Sequence, residues 1–132
     1  YKLRSWIAFI KFEFELYKNP HQNLTEVFNK IYSKTLMLDQ TDVFAWESKA
    51  MYTTYPVYFQ NYVLAELISA HIIGYYKSDG ASIIHPDFYT FIKKYFYEPG
   101  ASLSWSDKVK IGTSSEITSN GLIDQLLRYE ET

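Results

Sequence analysis

The sequence predicts an all-α fold, a multi-helix bundle of about five to seven helices. Three observations carry that expectation. Apolar residues recur every three or four positions in one segment after another, no stretch alternates with the period of two that a strand needs, and Pro, Gly and Asn fall between the periodic segments. At 132 residues the chain has the length of one domain with a single core, and residues 1–132 read as one helical subdomain.

The elements follow in order. Leu3, Trp6, Ile7, Ile10, Phe14 and Tyr17 lie at helical spacing, with Phe9, Phe12 and Leu16 as a second stripe, so the first helix is expected to be covered on two sides. Asn19-Pro20 ends it, because Pro lacks an amide donor and disfavours helical geometry in the residue before it. Asn23 is placed to cap a second helix, with Glu26 in its first turn and Val27, Ile31 and Tyr32 inward, running to about Thr35. Leu36 to Trp46 shows no clean period and reads as a loop. From Pro56 onward Tyr58, Phe59, Tyr62, Val63, Leu67, Ile68, Ile72 and Tyr75 cover most of a helix circumference, the mark of a central element. Lys77 to Gly80 terminates it.

Pro86 with Asp87 opens a further helix striped by Phe88, Phe91, Ile92, Tyr95 and Phe96, and Glu98-Pro99-Gly100 stops it. Ser104 with Asp107 resembles a capping box for a short helix through Val109. Thr118 or Ser119 caps the last helix, whose packing face is Leu122, Ile123, Leu126 and Leu127.

Composition restricts function. A net charge of -2 with dispersed Lys and Arg gives no electrostatic footprint for nucleic acid. The absence of cysteine removes disulfides, thiolate metal sites and cysteine nucleophiles, and leaves the cellular compartment open. Val63 to Tyr76, interrupted by Glu66 and His71, falls short of the roughly 20 residues of a membrane span. The chain opens at Tyr1 inside a helical pattern, which reads as a sequence that continues upstream.

No two of His21, His71 and His85 lie at the i, i+4 spacing that brings two imidazoles to one zinc ion, so no metal site is assigned to these residues. His71 reads as a satisfied core or interface residue, His85 as a cap and His21 as exposed. Glu66 is a single carboxylate that must be paired or face water. The informative group is Tyr52, Tyr55, Tyr58 and Tyr62, at three- and four-residue spacing that would place them on one helical face. Such phenols either fill a core with their hydroxyls satisfied, or donate hydrogen bonds to a carbonyl oxygen as it becomes negative in a tetrahedral intermediate.

Three segments resemble the gluzincin oligopeptidases, the group of thimet oligopeptidase, oligoendopeptidase F and angiotensin-converting enzyme. Tyr55-Pro-Val-Tyr-Phe-Gln-Asn-Tyr62-Val-Leu-Ala-Glu66-Leu resembles the family's tyrosine-rich helix. Trp6-Ile-Ala-Phe-Ile-Lys-Phe-Glu-Phe-Glu-Leu-Tyr17 resembles the long helix before it, and Pro99-Gly-Ala-Ser-Leu-Ser-Trp105 resembles the glycine turn before the final helices. The resemblance implies the C-terminal subdomain of a larger helical peptidase. In that family zinc is held by H-E-x-x-H and a downstream Glu, residues that would lie upstream of Tyr1. It also implies that Tyr55, Tyr58 and Tyr62 bind the substrate carbonyl and stabilise the oxyanion.

Where the family carries a His shortly before the tyrosines, this chain has Lys49-Ala50-Met51. That departure implies an altered substrate-clamping half of the site. The implied cofactor is the zinc of the complete enzyme, and because this chain lacks the H-E-x-x-H motif it is expected to be inactive alone. The implied partners are the N-terminal remainder of the peptidase and a peptide substrate, with self-association through an exposed apolar face. The competing expectation is a non-catalytic helical module that binds a protein or peptide.

Overall fold

The computed structural model describes residues 1–38, 46–78, 80 and 82–128, and all regular structure among them is helical. The seven α-helices are α1 (Lys2–Lys18), α2 (Leu24–Leu36), α3 (Met51–Thr54), α4 (Phe59–Ser78), α5 (Pro86–Ile92), α6 (Trp105–Thr113) and α7 (Asn120–Arg128). A π-helical stretch, Lys93–Tyr97, continues α5, and single 3₁₀ turns lie at Trp46–Ser48 and Gly100–Ser102. The all-helical expectation holds. Most of the Leu36 to Trp46 loop, positions 39–45, lies outside the described residues, as does Asp79 in the segment expected to end α4. The chain divides into two compact units, Tyr1–Leu64 and Ala65–Thr132.

In the first unit the core is aromatic. Ala8, Phe12, Phe28, Tyr32, Leu36, Tyr52 and Phe59 are buried, with Trp6, Phe9, Ile10, Leu16 and Trp46 packed against them. Phe12 is fully buried, and its ring lies 5.1 Å from that of Phe28, 5.2 Å from Trp46 and 5.4 Å from Tyr52. These tilted and edge-on contacts are the geometry that ring quadrupoles favour. The core face of α1 is therefore the stripe of Ala8, Phe9, Phe12 and Leu16. Covering on two sides is not what the structure shows, because Phe14 is 73% exposed and Tyr17 is also exposed. α2 starts as expected: Asn23 Oδ1 accepts the Glu26 amide at 3.2 Å.

In the second unit Tyr75 and Tyr76 of α4 meet Phe88 and Phe91 of α5, and Phe91 meets Tyr95 and Phe96 of the π-helical stretch. His85 Nδ1 accepts the Asp87 amide at 3.3 Å, the capping role expected of it, with Pro86 at the first helical position. Ser104 and Asp107 form the capping contacts of α6: the Asp107 amide donates to Ser104 Oγ at 3.1 Å and the Ser104 hydroxyl donates to Asp107 Oδ2 at 2.7 Å. α6 continues past Val109 to Thr113, and Gly112 within it packs so closely that an added Cβ would lie 3.2 Å from Tyr95 Cβ. The face of α7 expected to pack carries Ile123, Leu126 and Leu127, and all three are exposed.

Candidate functional site

The tyrosine segment begins where α3 stops. Tyr55 ends α3 at a bend with non-helical dihedrals (φ -134°, ψ 67°), Pro56 and Val57 form a turn, and α4 starts only at Phe59. The four phenols therefore do not share one helical face. Tyr52 belongs to α3, Tyr55 and Tyr58 to the turn, and Tyr62 to the first turn of α4.

That break separates their roles. Tyr52 points into the core, is buried, and donates from its hydroxyl to the Phe9 carbonyl at 3.4 Å. Burial and then the nearby Glu13 carboxylate push its phenol well above the ordinary value of 10.0, since both disfavour a phenolate. Tyr52 is thus a structural aromatic with its hydroxyl engaged.

Tyr55, Tyr58 and Tyr62 point outward, 57%, 41% and 38% exposed. The structure brings these three together: the Tyr55 and Tyr58 rings are 5.9 Å apart, and those of Tyr58 and Tyr62 are 5.6 Å apart and edge-on. Tyr62 stacks on Trp6 of α1 at 5.0 Å with 16° between the planes, and Lys2 Nζ lies 5.1 Å from the Trp6 ring centroid. The result is a continuous aromatic row whose outer edge carries phenol donors open to solvent.

The turn carrying this row is held by Glu13 of α1. Val57 has a φ of 60°, in the left-handed region that a β-branched residue avoids. Its amide donates to Glu13 Oε1 at 2.6 Å, and Glu13 is itself buried. A charge-assisted hydrogen bond of this kind contributes about 1.5–3 kcal/mol, enough to offset the roughly 1–2 kcal/mol that the left-handed conformation costs. Tyr55 and Tyr58 flank the strained residue, so the carboxylate sets where both rings project.

Sequence reasoning did not single out Glu13, yet a signal was present. Position 13 lies four residues after Phe9 and three before Leu16, on the buried stripe, whereas Glu15 falls beside it. A carboxylate on a buried stripe requires a donor.

The remaining titratable residues singled out in the sequence are the histidines and Glu66. His21 and Glu66 are exposed. His71 Nε2 lies 3.2 Å from Thr113 Oγ1 and 3.0 Å from Ser115 Oγ, so it is satisfied by hydroxyls as expected of a partly buried imidazole. Among the described residues no cluster of three or more His, Asp or Glu side chains is arranged to hold a metal ion. No helix among them is long and apolar enough to cross a membrane. In comparisons with family models, curated proteins and solved structures, nothing matches the chain.

Proposed function

We propose that this chain is the C-terminal helical part of a zinc oligopeptidase and supplies one wall of its peptide site, with Tyr55, Tyr58 and Tyr62 as hydrogen-bond donors to the substrate carbonyl. The supporting observation is the row itself: three solvent-facing phenols in successive ring contact, Tyr55 to Tyr58 and Tyr58 to Tyr62, beside a strained turn anchored by a buried carboxylate. Strain persists only where the surroundings enforce it, and it concentrates at binding and catalytic segments.

The chemistry assigned to these residues is donation. A peptide carbonyl gains negative charge on oxygen as it becomes tetrahedral, and a phenol O–H already aimed at that position stabilises the charge without reorganising. The described residues do not fit a zinc ion, so in this reading the metal is held by an H-E-x-x-H segment outside this sequence.

Cleavage of a short fluorogenic peptide with zinc present tests the reading, comparing this chain with a longer polypeptide that carries an upstream H-E-x-x-H. Turnover is expected from the longer polypeptide and none from this chain. Hydrolysis by this chain alone would refute the roles assigned.

A second reading is favoured by a different observation, the exposed Ile123, Leu126 and Leu127 of α7. In it the chain is a non-catalytic helical module that binds a protein or peptide, the mode in which an apolar helix face seats in a partner's groove. A stable monomer by light scattering, with no upstream segment needed for partner binding, would favour this alternative. Ready self-association through the exposed face would favour the first.

A further inference from the structure

We infer that the second unit carries a separate binding site for a small zwitterion of amino-acid or dipeptide size, in the cleft between α4 and the start of α7. The inference does not rest on the peptidase reading. Two glycines shape the cleft. Gly121 lets α7 approach α4 so closely that a Cβ there would lie 3.1 Å from the Ala70 carbonyl oxygen. One turn further along α4, Gly74 has nothing within 4 Å of where its Cβ would be, and the helices leave a cavity of about 660 Å³. That volume falls in the range of about 300–1,000 Å³ typical of small-molecule sites.

The lining has the chemistry of a doubly charged ligand. Lys77 of α4 and Asp124 of α7 both line the cavity, and neither takes part in an ion pair among the described residues. A ligand bearing a carboxylate and an ammonium group complements both at once, whereas a ligand of single charge leaves one of them facing its like or nothing. His71 and Ser115 line the same cavity. Thr113 is buried and its hydroxyl donates to the Val109 carbonyl at 2.8 Å, with His71 Nε2 3.2 Å from the same oxygen. Ser115 Oγ lies 3.0 Å from the same nitrogen, so two hydroxyls anchor the imidazole. His71 and Ser115 thus add an anchored imidazole and a hydroxyl, polar groups that can pair with either end of such a ligand, to the lining of the cleft.

The test is amide and imidazole NMR on the whole chain, titrated with leucyl-leucine, its N-acetyl form and its C-terminal amide. Leucyl-leucine is expected to shift the Gly74, Gly121 and Ser115 amides and the His71 ring saturably. The capped forms are each expected to bind about fivefold more weakly, the size of one half-exposed charge contact. Lys77→Ala should remove the penalty for the C-terminal amide and Asp124→Asn the penalty for acetylation, which separates charge recognition from a fold defect because each variant still binds one capped form normally. The inference is overturned by the absence of saturable shifts, by equal binding of all three probes, or by shifts that both variants leave unchanged.

Discussion

The link between Glu13 and Val57 is open to a direct energetic test. Glu13→Ala removes the acceptor for the Val57 amide, which sits 2.6 Å from the carboxylate, and so forfeits about 1.5–3 kcal/mol. In the native background part of that loss is recovered, because a released Val57 leaves its φ of 60° and sheds roughly 1–2 kcal/mol of strain. In a Val57→Gly background there is no strain to shed, since glycine adopts positive φ freely. Glu13→Ala should therefore cost about 1–2 kcal/mol more in the glycine background, and the packing lost with the Glu13 stem cancels in the difference. Urea denaturation in a Trp105→Phe background reads this cleanly, because Trp6 and Trp46 then report on the first unit alone. Additivity within about 0.3 kcal/mol would show that the carboxylate does not hold the turn in its strained state.

Four further outcomes follow from packing, capping and ionisation. Phe12→Ala, which empties a fully buried ring site, should destabilise the chain by about 3–5 kcal/mol in the same denaturation experiment. Ser104→Ala should lower stability by about 1 kcal/mol through loss of the α6 cap, read as a lower thermal midpoint. Gly121→Ala should cost about 1–3 kcal/mol, because its methyl would press on the Ala70 carbonyl. For Tyr52 the folded state holds the phenol proton above its unfolded pKa. The stability this contributes is complete below about pH 10 and declines as pH rises beyond it; Tyr52→Phe should flatten that decline in alkaline denaturation.

Much of the fold was legible because helix ends are local chemistry. Asn23, His85-Pro86 and Ser104 with Asp107 each act at the terminus their side chains implied, since capping is decided within three residues of chain. What could not be read was long-range. The three- and four-residue spacing of the tyrosines suits a helix, but a carboxylate 44 residues earlier in the chain holds Val57 in a turn, so α4 begins at Phe59 and Tyr52 is parted from the rest. Period also cannot say whether a face is covered. Phe14 on α1 and Leu127 on α7 both lie at apolar positions of their stripes and both are exposed. Thr113 extends α6 beyond Val109 because its hydroxyl bonds back to the Val109 carbonyl, a contact that makes helical geometry acceptable for a β-branched residue. Of the candidate site, the sequence identified the three outward phenols but not the buried Glu13 that positions them.

Steady-state kinetics on the longer, H-E-x-x-H-bearing polypeptide with single Tyr55→Phe, Tyr58→Phe and Tyr62→Phe substitutions tests the proposed role most directly. If a phenol stabilises the developing oxyanion, at least one substitution lowers kcat by about 10²–10³ while KM stays nearly constant, because the donor acts on charge present only in the transition state. Unchanged kcat in all three variants, with any effect confined to KM, would contradict the proposal and leave the aromatic row as a surface for binding alone.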